Sequence, residues 1–389
     1  MSRLLNESWI EGLPDNIVDN LETLNNYVVQ RICERIRKIG DIGTADAYRL
    51  KTAIEYAGAD IKAIEKEVAR IMGTNQQEIE RLFEEVAKEN VEFANTFYKA
   101  RNMDLLQRYT SRSALTSLVD AVKRQALDGT ANISNTYMIG FKRGKQIIPL
   151  REYYISTIDR AITYVQTGVV DYQSAMRSTV REMAQSGLRR VTWESEYSRR
   201  LDSSARMNIL EGVRRLNSQM MEETGREFGA DGVEISAHGL CAPDHRDIQG
   251  KQYSKEEFER LNRRLERPIG TLNCQHFITP IILGVSKPVY SRKELAEINK
   301  RSAERIEYKG QKMSRYEASQ KQRQIETAIR YAKDERDAMI AAGDKLGAAQ
   351  ARKKSAALGA EYKRFCEQAG LTPRPERTRS MTGPTVQKA

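Results

Sequence analysis

The chain has 389 residues and a net charge of +11; 40% of its residues are apolar, 30% are charged and only 7% are aromatic. This length is enough for two or three domains, and the low aromatic content favours long, partly solvated helices over a thick sheet core. The sequence begins without the apolar core of a signal peptide and has no run of roughly 18 to 20 apolar residues that could cross a membrane. We therefore expect a mainly α protein of the cytosol whose four cysteines remain free thiols.

Residues 1–135 are predicted to form a helical bundle. Between Ile17 and Ile39, apolar residues recur every three or four positions, which is the spacing of one buried helical face. Similar helical patterns follow in residues 45–56, 61–72, 76–98 and 104–127. The polar run from Asp128 to Ile133 interrupts the pattern and places the first domain boundary near residue 135.

The next region, residues 136–229, is predicted to consist mainly of long central helices. It begins with a short basic segment that contains Lys142, Arg143 and Lys145. Helical spacing then returns in residues 151–166, 172–183 and 194–228. Gly187 suits the end of a helix, because glycine readily adopts the left-handed conformation common just past a helix C-terminus.

Residues 230–285 have a different texture and are predicted to form a small, loop-rich α+β domain. Polar and apolar residues alternate from Gly232 to Ser236, and a short apolar run extends from Phe277 to Leu283. These two patterns predict two short strands. Prolines and glycines punctuate the sequence between them and indicate irregular loops.

The remaining residues, 286–389, are predicted to form an extended basic helical tail with a disordered end after Gly370. This tail holds 24 lysines and arginines against 13 acidic residues, so it carries the whole net charge of the chain. Its apolar stripe is thin, which is typical of a helix that packs along a neighbour or another subunit.

The charge of the tail predicts an anionic partner, although a solvated helix kept soluble by its charge would show the same excess. If the partner is double-stranded DNA, binding would depend on salt and not on base sequence, because the contacts go to phosphates. The candidate DNA-binding residues are Lys312, Arg315, Lys321, Arg323, Arg330, Arg352, Lys353, Lys354, Lys363 and Arg364.

All three histidines of the chain and two of its four cysteines fall between positions 238 and 276. The same window holds amide side chains that can hydrogen-bond to imidazoles. The candidate cluster consists of His238, Cys241, His245, Gln249, Asn273, Cys274 and His276. Such a set fits a hydrogen-bonded structural core, a metal site or a catalytic site.

A structural zinc site would draw on Cys241, His245, Cys274 and His276, because thiolates and imidazoles are the ligands that tetrahedral zinc prefers. Their spacing departs from the usual paired-cysteine and paired-histidine motifs, and Cys274 and His276 would point to opposite faces of a strand. A structural polar cluster without any cofactor is therefore the leading interpretation, and zinc is the alternative.

Catalysis is the third interpretation of this window. His245 or His238 could act as a general base for a Cys274 nucleophile. No nucleophile elbow, phosphate-binding loop or metalloprotease signature accompanies these residues. We therefore expect neither enzymatic activity nor a small-molecule substrate, and a metal-dependent or Cys/His nuclease or peptidase is kept as the alternative.

Residues 175–284 contain an ordered series of short motifs. They are Met183–Leu188, Ala205–Leu210, Val233–His238, Gln249–Lys251 with Tyr253, and Asn273–His276 followed by Pro280. In this order they resemble the phage minor capsid protein 2 family, part of the wider group of Mu F-like head-morphogenesis proteins. Tyr316–Gln320 and the helix after it resemble the family more loosely. Relatives carry arginine at the place of Cys241, so the resemblance does not imply a four-ligand metal site.

This resemblance implies a low-copy minor capsid protein of a tailed bacteriophage. Such a protein would be assembled into the virion head in the cytoplasm of the bacterial host. Its partners would be portal and capsid proteins and, in some relatives, the packaged DNA. No membrane partner is expected.

Overall fold

The computed structural model describes residues 7–41, 47–99, 120–124, 127, 138–167, 171–190, 199–227, 229–271 and 274–380. Helices dominate these residues, which confirms the prediction of a mainly α fold. The helices are α1 (Glu7–Gly12), α2 (Asp15–Gly40), α3 (Ala47–Lys99), α4 (Leu150–Gln166), α5 (Tyr172–Ser186), α6 (Leu201–Glu227), α7 (Lys255–Asn262), α8 (Arg292–Ala303), α9 (Arg315–Ala341) and α10 (Lys345–Ala369). Most of the helix predicted over 104–127 lies outside the described residues.

Short strands form small antiparallel sheets between these helices. The strands are β1 (Ile139–Arg143), β2 (Gln146–Pro149), β3 (Arg189–Arg190), β4 (Gly232–Ile235), β5 (Gln252–Ser254), β6 (Ile278–Ile281), β7 (Arg305–Tyr308) and β8 (Gln311–Ser314). They pair in the orders β2-β1-β3, β5-β4-β6 and β7-β8. Among the described helices, none is both long enough and apolar enough to cross a membrane.

Helix α2 lies at the centre of the protein and packs against α3, α4, α5, α6 and α9. Its predicted apolar stripe is buried, with Leu24, Val28 and Ile32 completely enclosed. Burying each such side chain contributes about 1.5–3 kcal/mol relative to leaving it in water. The helix predicted from Ile17 to Ile39 is thus confirmed to within two residues at its start and one at its end.

Helix α3 is one continuous helix of 53 residues where the sequence pattern predicted three. Gly58 and Gly73 fall in its interior, and the position of a side chain at either glycine faces open space. A glycine in a helix costs only about 1 kcal/mol relative to alanine. The buried face, which includes Ile64 and Phe83, continues along the helix and outweighs that cost.

The short basic segment near residue 142 forms the β1–β2 hairpin, which the sequence did not predict. Gly144 makes the turn with a φ of 62°. Gly140 sits so close to β2 that an added Cβ would lie 1.9 Å from the Ile148 carbonyl oxygen. The Arg143 guanidinium stacks over the Tyr153 ring of α4 at 4.6 Å, which anchors the hairpin to the helices.

One large hydrophobic core joins segments from three of the four predicted domains. It contains residues of α2 to α6 and of the β1–β2 hairpin, together with Ala338, Met339, Ala342 and Ala348 from α9 and α10. The small α+β domain has its own cluster of Ile235, Ile248 and Ile269. Segments on both sides of the predicted boundary at 135 therefore share the large core with part of the predicted tail, whereas residues 230–285 contribute to a separate cluster.

Helices α9 and α10 form a helical hairpin that folds back on itself through Gly343, whose φ is 77°. Helix α9 packs against α2 and α5, so its thin apolar stripe finds its neighbour within the same chain. At the far end of the hairpin, the rings of Tyr308 and Phe365 meet edge to face with centroids 4.9 Å apart.

A buried ion-pair network joins α2, α6 and α9. Arg200 donates to Asp334 at 3.0 Å and lies 3.4 Å from Asp202. Arg330 pairs with the other oxygen of Asp202 at 3.0 Å and also with Glu22. All of these side chains except Arg330 are buried, so the ion pairs lie largely away from water.

Residues 371–380 run from the end of α10 across α9 to the N-terminal helices. Arg374 and Arg377 donate to one oxygen of Glu11 at 2.9 and 3.1 Å, and Arg379 donates to Asp19 at 2.8 Å. Burial would raise the pKa of Glu11, but Arg377 and Arg374 lower it below its usual value. These arginines order part of the segment that was predicted to be disordered, and residues 381–389 lie outside the described part of the chain.

Candidate functional site

The His/Cys cluster lies in the small α+β domain, where three segments converge beside β4. His238 follows β4, and His245 closes a short 3-10 turn, Pro243–His245. Cys274 and His276 lie in the loop that leads into β6. Because β6 pairs with β4, the sheet brings these distant segments together.

The cluster is tight around the Cys274 sulfur. The Sγ atom of Cys274 lies 3.3 Å from Nδ1 of His276 and 3.9 Å from Nδ1 of His245. Potential ligand atoms of these three residues all lie within 4.8 Å of one another. The His238 ring packs against the His276 ring with centroids 4.4 Å apart.

The Nε2 atoms of His245 and His276 each form a hydrogen bond to a carbonyl oxygen. Nε2 of His245 donates to the Arg267 carbonyl oxygen at 2.8 Å. Nε2 of His276 lies 3.1 Å from Oε1 of Gln249, which also accepts the backbone N–H of His238 at 3.0 Å. A backbone N–H can only donate, so this Gln249 atom must be the oxygen, and His276 must donate to it. In the neutral form of each histidine, Nδ1 is therefore unprotonated and faces the Cys274 thiol.

Gln249 is completely buried, and its orientation is fixed from α8. Its amide nitrogen donates to Oδ1 of Asn299 at 2.8 Å. Nothing in the spacing of the sequence marks Asn299, because α8 reaches the cluster only through the fold of the chain. The same holds for the carbonyl of Arg267, which any residue type could supply.

Burial and hydrogen bonding shift the pKa values of the three imidazoles and of the Cys274 thiol in different directions. Burial lowers the pKa of His276 to about 2 and that of His238 to about 4, with neighbouring histidines adding to both effects. Burial also opposes charge on Cys274 and His245, but their mutual hydrogen bond and hydrogen bonds to the backbone together outweigh it. As a result the pKa of the Cys274 thiol falls below its usual value and that of His245 rises.

The structure brings together most, but not all, of the predicted cluster. His238, His245, Gln249, Cys274 and His276 are in contact as described above. Cys241 lies apart, because the buried sulfur faces α8 and lies 3.0 Å from Oγ of Ser302. Asn273 lies outside the described residues. Of the four predicted zinc ligands, His245, Cys274 and His276 converge, and the His238 ring lies against that of His276.

A small cavity of about 90 Å³ opens beside the cluster, between the α+β domain and α9. Three arginines line it, and α9 supplies much of its opposite wall. The lining residues include Arg267, Tyr316, Gln320, Arg323 and Arg374. The Cys274 side chain is half-buried at this wall.

The ten candidate DNA-binding residues divide into two groups. Arg330 is engaged in the buried ion-pair network, Arg323 lies 3.7 Å from Glu11, and Arg315 donates to the Gly370 carbonyl and lies 3.4 Å from Glu304. Lys321 is half-buried on α9. The exposed residues are Lys312 on β8 and, on α10, Arg352, Lys353, Lys354, Lys363 and Arg364.

The fold and the cluster define a class of mainly helical protein with a small α+β domain organised around histidine and cysteine. The family model for phage minor capsid protein 2 matches residues 5–367, nearly the whole chain. The chain belongs to this family and therefore has a structural role in a bacteriophage virion. No curated protein and no solved structure matched the chain.

Proposed function

We propose that the protein is a minor component of the phage head that binds portal and capsid proteins during assembly and contacts packaged DNA through α10. Membership of a minor capsid family supports the first part, since virion proteins are its expected partners. The exposed basic residues of α10 support the second. The two parts can be tested separately.

The observation that carries the DNA proposal is the charge of one exposed helical face. Helix α10 holds six basic residues against two acidic ones. Lys353 and Arg364 are eleven positions apart, which places them on nearly the same face and about 16 Å apart along the helix. Helix α9, in contrast, directs Arg323 and Arg330 at carboxylates of the same chain. Salt-sensitive contacts to phosphates are what such a face would make.

Neutralising this face should weaken DNA binding strongly. Replacing Arg352, Lys353, Lys363 and Arg364 by glutamine is expected to lower the affinity for double-stranded DNA at least about 100-fold near physiological salt. Each lost phosphate contact should also reduce the slope of log K against log salt by about 1. Fluorescence anisotropy at several salt concentrations measures both quantities.

The matched control removes the same charge elsewhere. Lys255, Arg260, Arg263 and Arg264 are exposed in or just after α7, and replacing them by glutamine should leave the affinity nearly unchanged. Equal loss in both variants would show that only net charge matters and would reject a DNA-binding face on α10. Truncation at Val285 is a poorer test, because it removes part of the main core.

The assembly proposal predicts that the protein is a constituent of the head. Quantitative mass spectrometry of purified virions should find it at a small fraction of the copy number of the major capsid protein. Cross-linking of intact heads should join it to portal or capsid proteins. Virions that lack the protein, or cross-links confined to tail proteins, would refute the proposal.

The Cys274–His245 pair supports a second candidate, a Cys/His nuclease or peptidase acting in head maturation. The thiol pKa is lowered, and the thiol lies at the wall of a cavity. A catalytic histidine is normally oriented by a third side chain. Here Nε2 of His245 donates to the Arg267 backbone carbonyl instead, and the Asp244 carboxylate lies 3.9 Å from the same nitrogen, beyond hydrogen-bonding distance. Cleavage of head proteins or DNA that disappears in Cys274→Ala would favour this candidate over a purely structural role.

A further inference from the structure

We infer that His245, Cys274 and His276 bind a zinc ion that fastens the loops of the small α+β domain. We infer further that His238, whose ring packs against that of His276 but which lies outside this group of three, turns to supply the fourth ligand. This set differs from the one that the sequence suggested, since His238 replaces Cys241. The inference is independent of whether the protein contacts DNA.

The distances in the cluster fit a tetrahedral ion. Zinc binds sulfur at about 2.3 Å and imidazole nitrogen at about 2.0 to 2.1 Å, so a tetrahedral site separates the two ligand atoms by about 3.5 Å. The Cys274 sulfur lies 3.3 Å from Nδ1 of His276 and 3.9 Å from Nδ1 of His245. The two observed distances bracket the expected one, so small side-chain adjustments would complete this part of the site.

The hydrogen bonds behind the cluster are those that prepare histidines for a metal. Metal-binding histidines usually donate their other ring N–H to a carbonyl or carboxylate, which fixes the tautomer and the ring orientation. His245 does so to the Arg267 carbonyl, and His276 does so to the buried oxygen of Gln249. Asn299 in turn holds Gln249 in place.

Without an ion, the hydrogen bonding within the cluster is incomplete. The Cys274 thiol has one proton and can donate it to only one of the two facing Nδ1 atoms. Both ring nitrogens of His238 are buried, and neither has a hydrogen-bond partner among the described residues. Leaving a buried polar atom unpaired destabilises the folded state. A zinc ion bound by a thiolate and three imidazoles would satisfy the facing nitrogens and one nitrogen of His238.

The position of the site explains what the ion would do. Among the described residues of the α+β domain, the buried members of its hydrophobic cluster are Ile235, Ile248 and Ile269, and long loops connect its strands. The ligands come from the loop after β4, the 3-10 turn and the loop before β6. One ion would therefore join the three segments that the small core leaves weakly held.

The test uses the full chain, freed of metal by a chelator and titrated with Zn²⁺ and Co²⁺. We expect stoichiometric Zn²⁺ binding and, with Co²⁺, the near-ultraviolet charge-transfer band of a thiolate ligand and the intense visible bands of tetrahedral coordination. Stoichiometric Zn²⁺ should also slow alkylation of Cys274 by iodoacetamide at least tenfold in the unmutated protein. A folded chain that binds neither metal, with an unchanged alkylation rate, would overturn the inference.

Matched variants test the individual ligands. Cys274→Ser should abolish the charge-transfer band, whereas Cys241→Ser should retain it, because the two cysteines lie in the same domain but only Cys274 faces the histidines. His238→Ala should weaken zinc binding at least about 100-fold, beyond the 10- to 100-fold typical of outer-shell residues. If Cys274→Ser does not fold, the alkylation measurement on the unmutated protein still decides the matter. Unchanged affinity in His238→Ala would remove it from the ligand set.

Discussion

Replacing Arg200 by methionine is expected to lower the free energy of unfolding by about 3–5 kcal/mol, the usual cost of removing one partner from a buried ion pair. The Arg200 side chain is only 5% exposed. It binds Asp334 and Asp202 and lies over the Tyr331 ring at 5.0 Å. Methionine fills much of the same space, but it leaves the Asp334 carboxylate buried without its guanidinium partner.

Urea denaturation followed by circular dichroism measures this loss. Arg226→Met is the matched control, because Arg226 makes an exposed ion pair with Glu222 on α6. Exposed pairs contribute about 0–1 kcal/mol, so the control should change little. A loss below about 1 kcal/mol in Arg200→Met would mean that water enters the network and solvates Asp334.

Replacing Glu22 by glutamine is expected to stabilise the protein at pH 8 by up to about 3 kcal/mol. The network contains three carboxylates, on Glu22, Asp202 and Asp334, but only two guanidinium groups, on Arg200 and Arg330. Burial raises the pKa of Glu22 to about 7; Arg330 opposes this effect and Asp202 reinforces it. The folded state therefore holds a proton that the unfolded chain releases near pH 4.5.

The sign of the pH dependence follows from this difference. The stability that protonated Glu22 contributes is fully present below about pH 4.5 and is lost as the pH rises through about 7. Each pH unit in that window corresponds to about 1.4 kcal/mol. Glutamine mimics the protonated carboxyl and does not ionise, so the stability of the variant should exceed that of the unmutated protein increasingly from pH 5 to pH 8.

Unfolding free energies at several pH values check this prediction. Glu259→Gln, which alters an exposed carboxyl of α7, should run parallel to the unmutated protein across the same range. If Glu22→Gln also ran parallel, or lost stability at pH 8, Glu22 would have to be ionised in the folded protein and stabilised by Arg330.

Local patterns in the sequence predicted helices well where one buried face repeats without interruption. Helix α2 is such a case. Helix α3 was divided at its glycines, because the packing that carries it through Gly58 and Gly73 comes from distant helices. The β1–β2 hairpin was missed because its strands are short and one of them carries a basic pair.

The candidate site shows the same limit. Clustering of rare residues between 238 and 276 pointed to segments that the structure brings together, and Gln249 is among the residues in contact. The choice between Cys241 and His238 depends on which way each loop faces. Ser302 of α8, 61 positions from Cys241, decides this for the cysteine.

The basic charge of residues 286–389 was apparent from composition, but composition did not show which of the charged residues pair within the chain. Arg330 pairs with Glu22, 308 positions earlier, and with Asp202, 128 positions earlier. Counting charges cannot reveal such long-range neutralisation. Of the ten candidate DNA-binding residues, Lys312 and five residues of α10 are exposed.

The contacts of Glu11 determine how late in synthesis helix α1 can complete its packing. Glu11 leaves the ribosome 363 residues before Arg374 and 264 residues before Gln275, yet it binds both. Helix α1 cannot acquire these partners until synthesis has passed residue 374. A stop codon before Arg374 would therefore leave Glu11 without Arg374 and Arg377, two of the partners that it has in the complete protein.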